Sequence, residues 1–314
     1  MSKSLAEDAV LILHHYDFSN FAEKIRLIFG LKDLAWRSCI APMVLPKPDL
    51  TLLTGGYRKI PVMQIGADIY CDTAGIALEL ERRFPKPSLF PDGSFGLAMA
   101  LANWSEKTLL WPTARFATGT IADDLPPEFH ADRADMWDVP LDVDRYKAAA
   151  PRHKLQMLAQ LAFVESMLAR SNGLYILGPK ISLADIAIYH PLWLVGQCSP
   201  DLTSVFAPFP KLDDWMRRLR SAGHGCRTEI SAGEAIKVAQ SAVPLTPSGI
   251  FIPPESTSLR LGDAVAVRPM DYGKDKVAGD LHSLSFDQIS VARTNPLIGE
   301  TIVNFPFAGY RVSR

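Results

Sequence analysis

The sequence predicts an α/β domain followed by an all-α domain and a small, mostly β extension. Up to residue 85, strand and helix patterns follow one another in the order βαβ and then ββα. From residue 94 to 242 apolar residues recur at helical spacing. After residue 243 prolines give way to short alternating runs that are typical of strands. A chain of 314 residues is long enough for two or three domains with a sizeable core.

The first domain is predicted to span residues 8–85. Its first elements are a strand, a helix, a second strand and a short helix, at residues 10–16, 20–31, 34–41 and near 49. Asn20 and Glu23 stand three residues apart where the first helix begins, which predicts a capping box.

A predicted hairpin follows within residues 58–73. Residues 62–65 and 68–71 are short strand-like runs, and Gly66 precedes Ala67 in the two-residue loop between them. Glycine in the first loop position is typical of a type II′ turn. The sequence therefore predicts two antiparallel strands joined tightly.

Two features flank this hairpin and suggest a ligand site. Asp72 and Thr73 open a helix, where the first backbone N–H groups have no partner within the helix and attract a carboxylate. The Asp72 side chain is suited to pair with a ligand ammonium group. Pro61 is a candidate cis proline, which would leave the backbone of Ile60 open to a bound peptide.

The second domain is predicted to be all-helical over residues 94–242, after a proline-rich linker at 86–93. Its helical patterns lie at residues 94–118, 152–170, 183–195, 211–221 and 232–242. Ser182 and Asp185 form a second predicted capping box.

An acidic insertion interrupts the helical domain at residues 119–151. Between Asp123 and Arg145 it holds eight acidic residues and two arginines. One interpretation is a solvated loop. The other is a lid over a pocket, since long loops in compact domains are often functional.

The last part, residues 243–314, is predicted to be a proline-rich linker and a small β module. Its strand-like runs lie at residues 263–268, 281–286, 289–293, 301–305 and 310–312. A unit of roughly 65 residues is marginal on its own. We therefore expect it to pack on the helical domain or to complete a barrel-like meander.

Charge and cysteine usage exclude several functional classes. The formal net charge is −1, with 33 basic and 34 acidic side chains, which argues against nucleic acid or an anionic membrane as a partner. The apolar run at residues 9–13 is too short for the core of a secretion signal. Four scattered cysteines show no CxxC or metal-ligand spacing. The sequence thus predicts a reduced, cytoplasmic protein without a metal site.

Residues 58–73 resemble the glutathione site of the cytosolic glutathione transferases, and the resemblance extends over roughly residues 9–240. It implies that the first domain is thioredoxin-like. It also implies that Ile60, before Pro61, holds the cysteinyl backbone of glutathione, while Asp72 and Thr73 hold its γ-glutamyl end. Lys59 would contact the glycyl carboxylate.

The run from Ser19 to Arg26 resembles the serine- or cysteine-first motif of the family, with its seven-residue step to arginine. This implies that Ser19 stabilises the glutathione thiolate, with Phe21 part of the glutathione site. Two alternatives stay open: Ser19 only caps the helix, or Tyr16 at the strand end is the donor. Asn20 stands where the family commonly has proline. Serine at position 19 cannot form the mixed disulfide of the cysteine-type members.

The resemblance places an electrophile pocket between the two domains, along the first long helix of the second. Trp104, Trp111 and Arg115 lie at spacings of seven and four on one helical face, with Phe116 beside them. The same spacing also fits core packing. These residues are the candidates for the electrophile pocket.

The implied function is a glutathione transferase that presents glutathione, as co-substrate, to a small hydrophobic electrophile by conjugation, ether cleavage or isomerisation. Two alternatives are a glutathione-binding interaction protein with little turnover and a glutathione-dependent peroxidase or reductase. The resemblance also implies a homodimer.

Overall fold

A single sheet joins the beginning and the end of the chain. The computed structural model describes residues 10–171 and 174–314, so the predicted first residues of the first domain, 8 and 9, lie outside it. The described strands are β1 Leu11–His15, β2 Ala35–Ile40, β3 Val62–Ile65, β4 Asp68–Cys71, β5 Cys226–Glu229, β6 Gly249–Ile250, β7 Ala264–Pro269, β8 Val277–Leu284, β9 Gln288–Asn295, β10 Gly299–Pro306 and β11 Tyr310–Ser313. Their order across the sheet is β11-β7-β8-β9-β10-β4-β3-β1-β2-β5, with β6 paired to β8.

The helices divide between the sheet and a separate bundle. The described α-helices are α1 Asn20–Leu31, α2 Pro48–Thr54, α3 Thr73–Arg83, α4 Phe95–Trp104, α5 Leu110–Thr120, α6 Pro127–Trp137, α7 Val143–Arg170, α8 Leu183–Cys198, α9 Pro210–Arg220 and α10 Ala232–Gln240. Helix α5 packs on both α7 and α8, and α1 contacts α8, so the bundle lies against the N-terminal domain. In the described residues no helix is both long and apolar enough to cross a membrane.

The βαβ and ββα order of the first domain is confirmed. Strand β1 pairs with β2 in parallel and with β3 antiparallel, and β3 and β4 form the hairpin. Gly66 has a φ of +61°, whereas Ala67 does not have a positive φ, as a type II′ turn requires. The hairpin leads directly into α3, which begins at Thr73.

The predicted capping box of Asn20 and Glu23 is wrong. Ser19 is the N-cap of α1, and its Oγ accepts from the N–H of Ala22 at 3.1 Å. Asn20 is already helical, and its amide contacts a ring nitrogen of His190 at 3.0 Å. Serine and asparagine cap equally well, so sequence alone could not place the helix start to the residue.

The β module contacts the helical domain, as expected, through the segment of Asp271 and Tyr272, but its strands join the N-terminal sheet, which the sequence did not predict. Strand β10 pairs in parallel with β4, so the C-terminal strands continue the N-terminal sheet. A core of buried side chains covers this junction, including Ile69 of β4 and Val303 and Phe305 of β10. The extension therefore closes an edge that the hairpin would otherwise leave open.

A buried carboxylate fixes the linker to the same junction. Asp68, the first residue of β4, is fully buried and accepts from the N–H of Leu245 at 2.7 Å and of Thr246 at 3.0 Å. Hydrogen bonds from two backbone N–H groups compensate for burial of the charge. The linker that begins near residue 243 is thereby held against the hairpin.

The end of the predicted helical region, up to 242, belongs to the sheet domain instead. Strand β5 pairs in parallel with β2, and α10 packs on α2 and on strands β2 and β10. The chain thus leaves the bundle after α9.

The acidic insertion is helical, which corrects its interpretation as a solvated loop. Helix α6 occupies residues 127–137, and α7 begins at Val143, nine residues before the predicted start at 152, with Pro151 inside the helix. Phe129 and Arg133 of α6 are buried. They are four residues apart and lie on one helical face. Because acidic residues surround them, this buried face was not recognised from the sequence.

Candidate active site

Two adjoining hollows lie between the sheet domain and the bundle. The larger, here the aromatic cleft, has a cavity volume of about 140 Å³, and the smaller, here the proline subsite, about 60 Å³. The proline subsite is lined by Phe21, Tyr57, Lys59, Ile60, Pro61, Asp72, Thr73, Glu106, Lys107, Asp271 and Tyr272. Phe21, Lys59, Ile60 and Tyr272 also line the aromatic cleft, so the two hollows are continuous.

The proline subsite brings together the residues assigned to glutathione from the sequence. The Ile60–Pro61 peptide bond is cis, and Ile60 lies outside the pairing of β3, which starts at Val62. Asp72 is the N-cap of α3, and its Oδ1 accepts from the N–H of Ala74 at 2.9 Å. The arrangement presents a peptide edge and a helix N-terminus to one hollow.

The extension contributes a residue that sequence reasoning missed. The hydroxyl of Tyr310, in β11, donates to Oδ2 of Asp72 at 3.0 Å and lies 3.0 Å from the hydroxyl of Tyr57. Burial and the Asp72 carboxylate raise the pKa of Tyr310 well above its usual value. Tyr310 therefore stays protonated and orients the Asp72 carboxylate.

A buried lysine under α3 was also missed. Lys24 of α1 is 1 % exposed, and its Nζ donates to Oγ1 of Thr73 at 3.1 Å and to Glu106 at 2.6 Å. The oxygen of the Thr73 hydroxyl accepts a hydrogen bond from Lys24, so the hydroxyl can donate its proton to a ligand. Glu106 compensates the Lys24 charge, so the positive potential that favours a bound carboxylate comes from the α3 N-terminus.

Lys59 is already paired with the extension. Its Nζ lies 2.7 Å from Oδ1 of Asp271 and 4.0 Å from the ring centre of Tyr272, and Lys107 contacts the other oxygen of Asp271 at 2.6 Å. Partial burial would raise the pKa of Asp271, but the two ammonium groups outweigh it and hold the pKa at about 2. A ligand carboxylate that reaches Lys59 must therefore share it with Asp271.

Both candidate thiolate donors line the aromatic cleft. Ser19 is buried at the N-terminus of α1. Its Oγ accepts a hydrogen bond from the N–H of Ala22, and its hydroxyl proton has no acceptor in the described chain. The Tyr16 hydroxyl accepts from Nη2 of Arg133 at 3.3 Å. Each hydroxyl can thus donate toward a sulfur atom in the cleft.

The electrophile candidates divide between the cleft and the core. Trp111 and Arg115 line the aromatic cleft, but Trp104 packs partly buried against the bundle core, which corrects its assignment. A single π-helical turn over Ser105–Leu109 separates α4 from α5, so Trp104 and Trp111 no longer share a face. The same turn carries Glu106 and Lys107 to the proline subsite.

The acidic insertion supplies much of the cleft wall. Phe129, Arg133, Met136 and Trp137 of α6 line it. The Trp111 ring meets Trp137 edge to face at 5.7 Å and Tyr272 at 5.4 Å between ring centres. Within 10–171 and 174–314, no cluster of three or more His, Cys, Asp or Glu side chains could hold a metal ion.

Comparisons with known proteins identify two parts of the chain. Residues 13–88 match the family "Glutathione S-transferase, N-terminal domain", and residues 147–218 match "Glutathione S-transferase, C-terminal domain". None of the curated proteins compared with the chain matches it.

A solved structure also matches the C-terminal extension, which lies outside the regions matched by the two family models. A GST-like protein from Pseudomonas syringae is 34% identical, with 97% of this chain and 99% of that chain covered and a TM-score of 0.79, so most of the extension is included. A glutathione S-transferase from Rhodospirillum rubrum F11 shares the fold at 17% identity, with 68% of this chain and 88% of that chain covered and a TM-score of 0.54. Glutathione transferase F7 from Populus trichocarpa shares the fold at 13% identity, with 73% of this chain and 99% of that chain covered and a TM-score of 0.53. The chain belongs to the glutathione S-transferase family.

Proposed function

We propose that the protein is a glutathione-dependent transferase. Glutathione binds in the proline subsite, and its sulfur enters the aromatic cleft, where an electrophile is attacked. The observation that carries this proposal is the Ser19 hydroxyl, which has no acceptor in the described chain and lies at the N-terminus of α1 in the continuous hollow. Family membership supports the same assignment.

The chemistry required is stabilisation of a thiolate. An unperturbed thiol has a pKa of about 8.5, and only the thiolate is an effective nucleophile. The Ser19 hydroxyl donates to the sulfur, and the N-terminus of α1 adds positive potential. The thiol proton leaves to solvent, the sulfur forms a bond to carbon, and the leaving group departs or, in an isomerisation, the adduct breaks down again.

Glutathione is held at its two ends by opposite charges. In this proposal its γ-glutamyl ammonium pairs with Asp72, and the carboxylate of the same residue meets Thr73 and the α3 N-terminus above Lys24. Ile60 receives the cysteinyl backbone, and Lys59 meets the glycyl carboxylate. The contacts of Tyr310 and Lys24 support this orientation.

Ultraviolet titration of thiolate absorbance tests the proposal. With glutathione bound, absorbance is expected at a lower pH than with free glutathione, because the site stabilises the thiolate. Calorimetry with millimolar glutathione should release heat, and the melting temperature should rise. If neither heat nor a melting shift is observed, the proposal is wrong.

Replacing Asp72 by asparagine isolates the ammonium contact. We expect Asp72→Asn to weaken glutathione binding about 10- to 100-fold, since a hydrogen bond to a charged group is worth about 1.5–3 kcal/mol. Asparagine retains the helix cap and tolerates the positive φ of 73°. Asp33→Asn, also at positive φ but exposed, is the control and should leave the calorimetric affinity unchanged.

A second candidate function is glutathione binding with little turnover. The Asp271 carboxylate on Lys59 favours it, because the subsite is partly filled by the chain itself. Turnover with a chloronitroarene that is measurable and falls in Ser19→Ala would exclude this candidate.

The ion pair between Asp271 and Lys59 is expected to weaken glutathione binding. Asp271→Asn removes a carboxylate that competes for Lys59, so glutathione should bind about 3- to 10-fold tighter, as expected for a partly exposed ion pair. The glycyl ethyl ester of glutathione lacks the competing charge and should bind wild type and variant alike. Equal gains for both ligands in calorimetry would mean that Asp271 acts only by covering the subsite.

We also propose a homodimer in a reducing compartment. Helix α7 exposes Leu155 and Phe163, which supports burial against a second copy. The four cysteines are free thiols. Light scattering should give twice the mass of 34.6 kDa, and a monomer would contradict the first part of this proposal.

A further inference from the structure

The aromatic cleft is basic as well as aromatic. Five basic side chains line it, and no acidic side chain does so in the described part of the chain: Lys47, Arg58, Lys59, Arg115 and Arg133. A cleft built only for a neutral apolar molecule has no need of so many cations, since buried charge is costly.

Three carboxylates just outside the walls compensate for only part of this charge. Arg58 pairs with Asp132 at 3.0 Å and with Asp135 at 2.5 Å, and Arg133 also pairs with Asp132. Asp271 pairs with Lys59 and with Lys107, which lies outside the cleft. Against five cations, the three carboxylates leave an excess of about two positive charges.

The excess lies on Lys47 and Arg115. Lys47 is 7 % exposed, and its Nζ donates to the carbonyl oxygen of Arg58 at 3.0 Å, without an ion pair in the described chain. Burial, with Arg133 and Arg58 nearby, lowers the pKa of Lys47 to about 8. Lys47 is therefore mostly charged at pH 7, and a bound anion would stabilise this buried charge.

Arg115 on α5 is half-buried and also has no ion pair in the described residues. Its guanidinium carbon lies 5.4 Å from the centre of the Trp111 ring. The cation is thus held against the aromatic wall formed by Trp111, Trp137 and Tyr272. A flat ring against that wall can present an acidic substituent to Arg115.

We propose that the electrophile is a planar aromatic molecule with an anionic substituent, whose ring lies against Trp111 and whose charge is stabilised by Arg115 and Lys47. The reaction rests on the proposed function, but the binding preference does not. For 4-chloro-3-nitrobenzoate, the thiolate forms a sulfur–carbon bond, the carbon–chlorine bond breaks and chloride leaves, with no change in the aryl carboxylate.

The test compares this benzoate with its neutral carboxamide, which has nearly the same shape. Binding is measured without glutathione, by quenching of tryptophan fluorescence from the cleft wall. Wild type should bind the benzoate about 10-fold or more tightly than the amide, because of the charged contact. Equal affinity for the two probes would overturn the proposal.

Variants separate the cations from the shape of the cleft. Arg115→Gln and Lys47→Met should each reduce the benzoate preference about 3- to 10-fold while leaving amide binding unchanged, which also shows that the cleft is intact. Arg145→Gln, on the exposed start of α7, is the matched control and should bind as wild type. If both cleft variants retain the full preference, the assignment to Arg115 and Lys47 is wrong.

Failure of this proposal is distinguishable from failure of the proposed function. If neutral 1-chloro-2,4-dinitrobenzene is turned over but the benzoate is not preferred, the proposed transferase activity stands and the proposed anionic substrate is wrong. If the benzoate is preferred but glutathione does not bind, the anionic ligand stands and the proposed transferase activity is wrong. Where both hold, kcat/KM for the benzoate, divided by its uncatalysed rate constant, should exceed that for the amide.

Discussion

Ser19→Ala is expected to lower kcat/KM about 10- to 100-fold with any electrophile and to raise the thiol pKa of bound glutathione by about one to two units. The variant removes a hydrogen bond to a charged sulfur, which is worth about 1.5–3 kcal/mol. Glutathione affinity should change little, because Asp72, Thr73 and Ile60 provide the contacts of the peptide. The measurements are steady-state kinetics and thiolate absorbance against pH.

Capping must be separated from catalysis in this experiment. Ser19 also caps α1, a contribution of about 1 kcal/mol to stability. Ser19→Thr keeps both the cap and the hydroxyl and should remain active. Ser19→Asp keeps the cap but cannot donate, and its charge opposes the thiolate, so it should be inactive although folded.

Tyr16→Phe decides between the two donors. If Ser19 is the donor, Tyr16→Phe keeps most of the activity and only loses the contact with Arg133. Full activity in Ser19→Ala together with inactive Tyr16→Phe would transfer the role to Tyr16. The pH dependence of kcat/KM should shift only in the variant that lacks the true donor.

Phe305→Ala is expected to destabilise the protein by about 3–4 kcal/mol. Phe305 is 1 % exposed in β10, and its ring lies 6.0 Å from that of Tyr57 and 5.5 Å from that of Tyr310. Deleting a buried aromatic ring removes apolar burial and leaves a cavity. Urea unfolding measures the loss, and glutathione affinity should fall as well, because Tyr310 orients Asp72.

An exposed phenylalanine in the same extension provides the control. Phe286 is 72 % exposed, and Phe286→Ala should change the free energy of unfolding by less than about 0.5 kcal/mol. If Phe305→Ala costs no more than this control, the extension does not share the core of the N-terminal domain in solution.

Local signals allowed the first domain and the proline subsite to be predicted. Gly66 in a two-residue loop and the Asp72-Thr73 helix start are features of adjacent residues, and their geometry follows from short-range sterics. The strand runs of the extension were likewise recognisable, within a few residues of their observed bounds.

Long-range pairing was not predictable in the same way. Nothing in the residues of β10 specifies β4 as its neighbour, since the pairing depends on which sheet edge is free. Tyr310 could not be assigned to the site for the same reason. Lys24 was hidden within a buried helix face, and the burial of Phe129 and Arg133 was concealed by acidic neighbours.

The bond between Tyr310 and Asp72 has a consequence for synthesis. The two residues are 238 positions apart, so at about 5–20 residues per second the ribosome makes Tyr310 roughly 10–50 s after Asp72. During that interval the hairpin edge at β4 is unpaired in the nascent chain. A chain released before residue 310 would contain every residue of the peptide-binding motif and still lack the hydroxyl that orients its carboxylate.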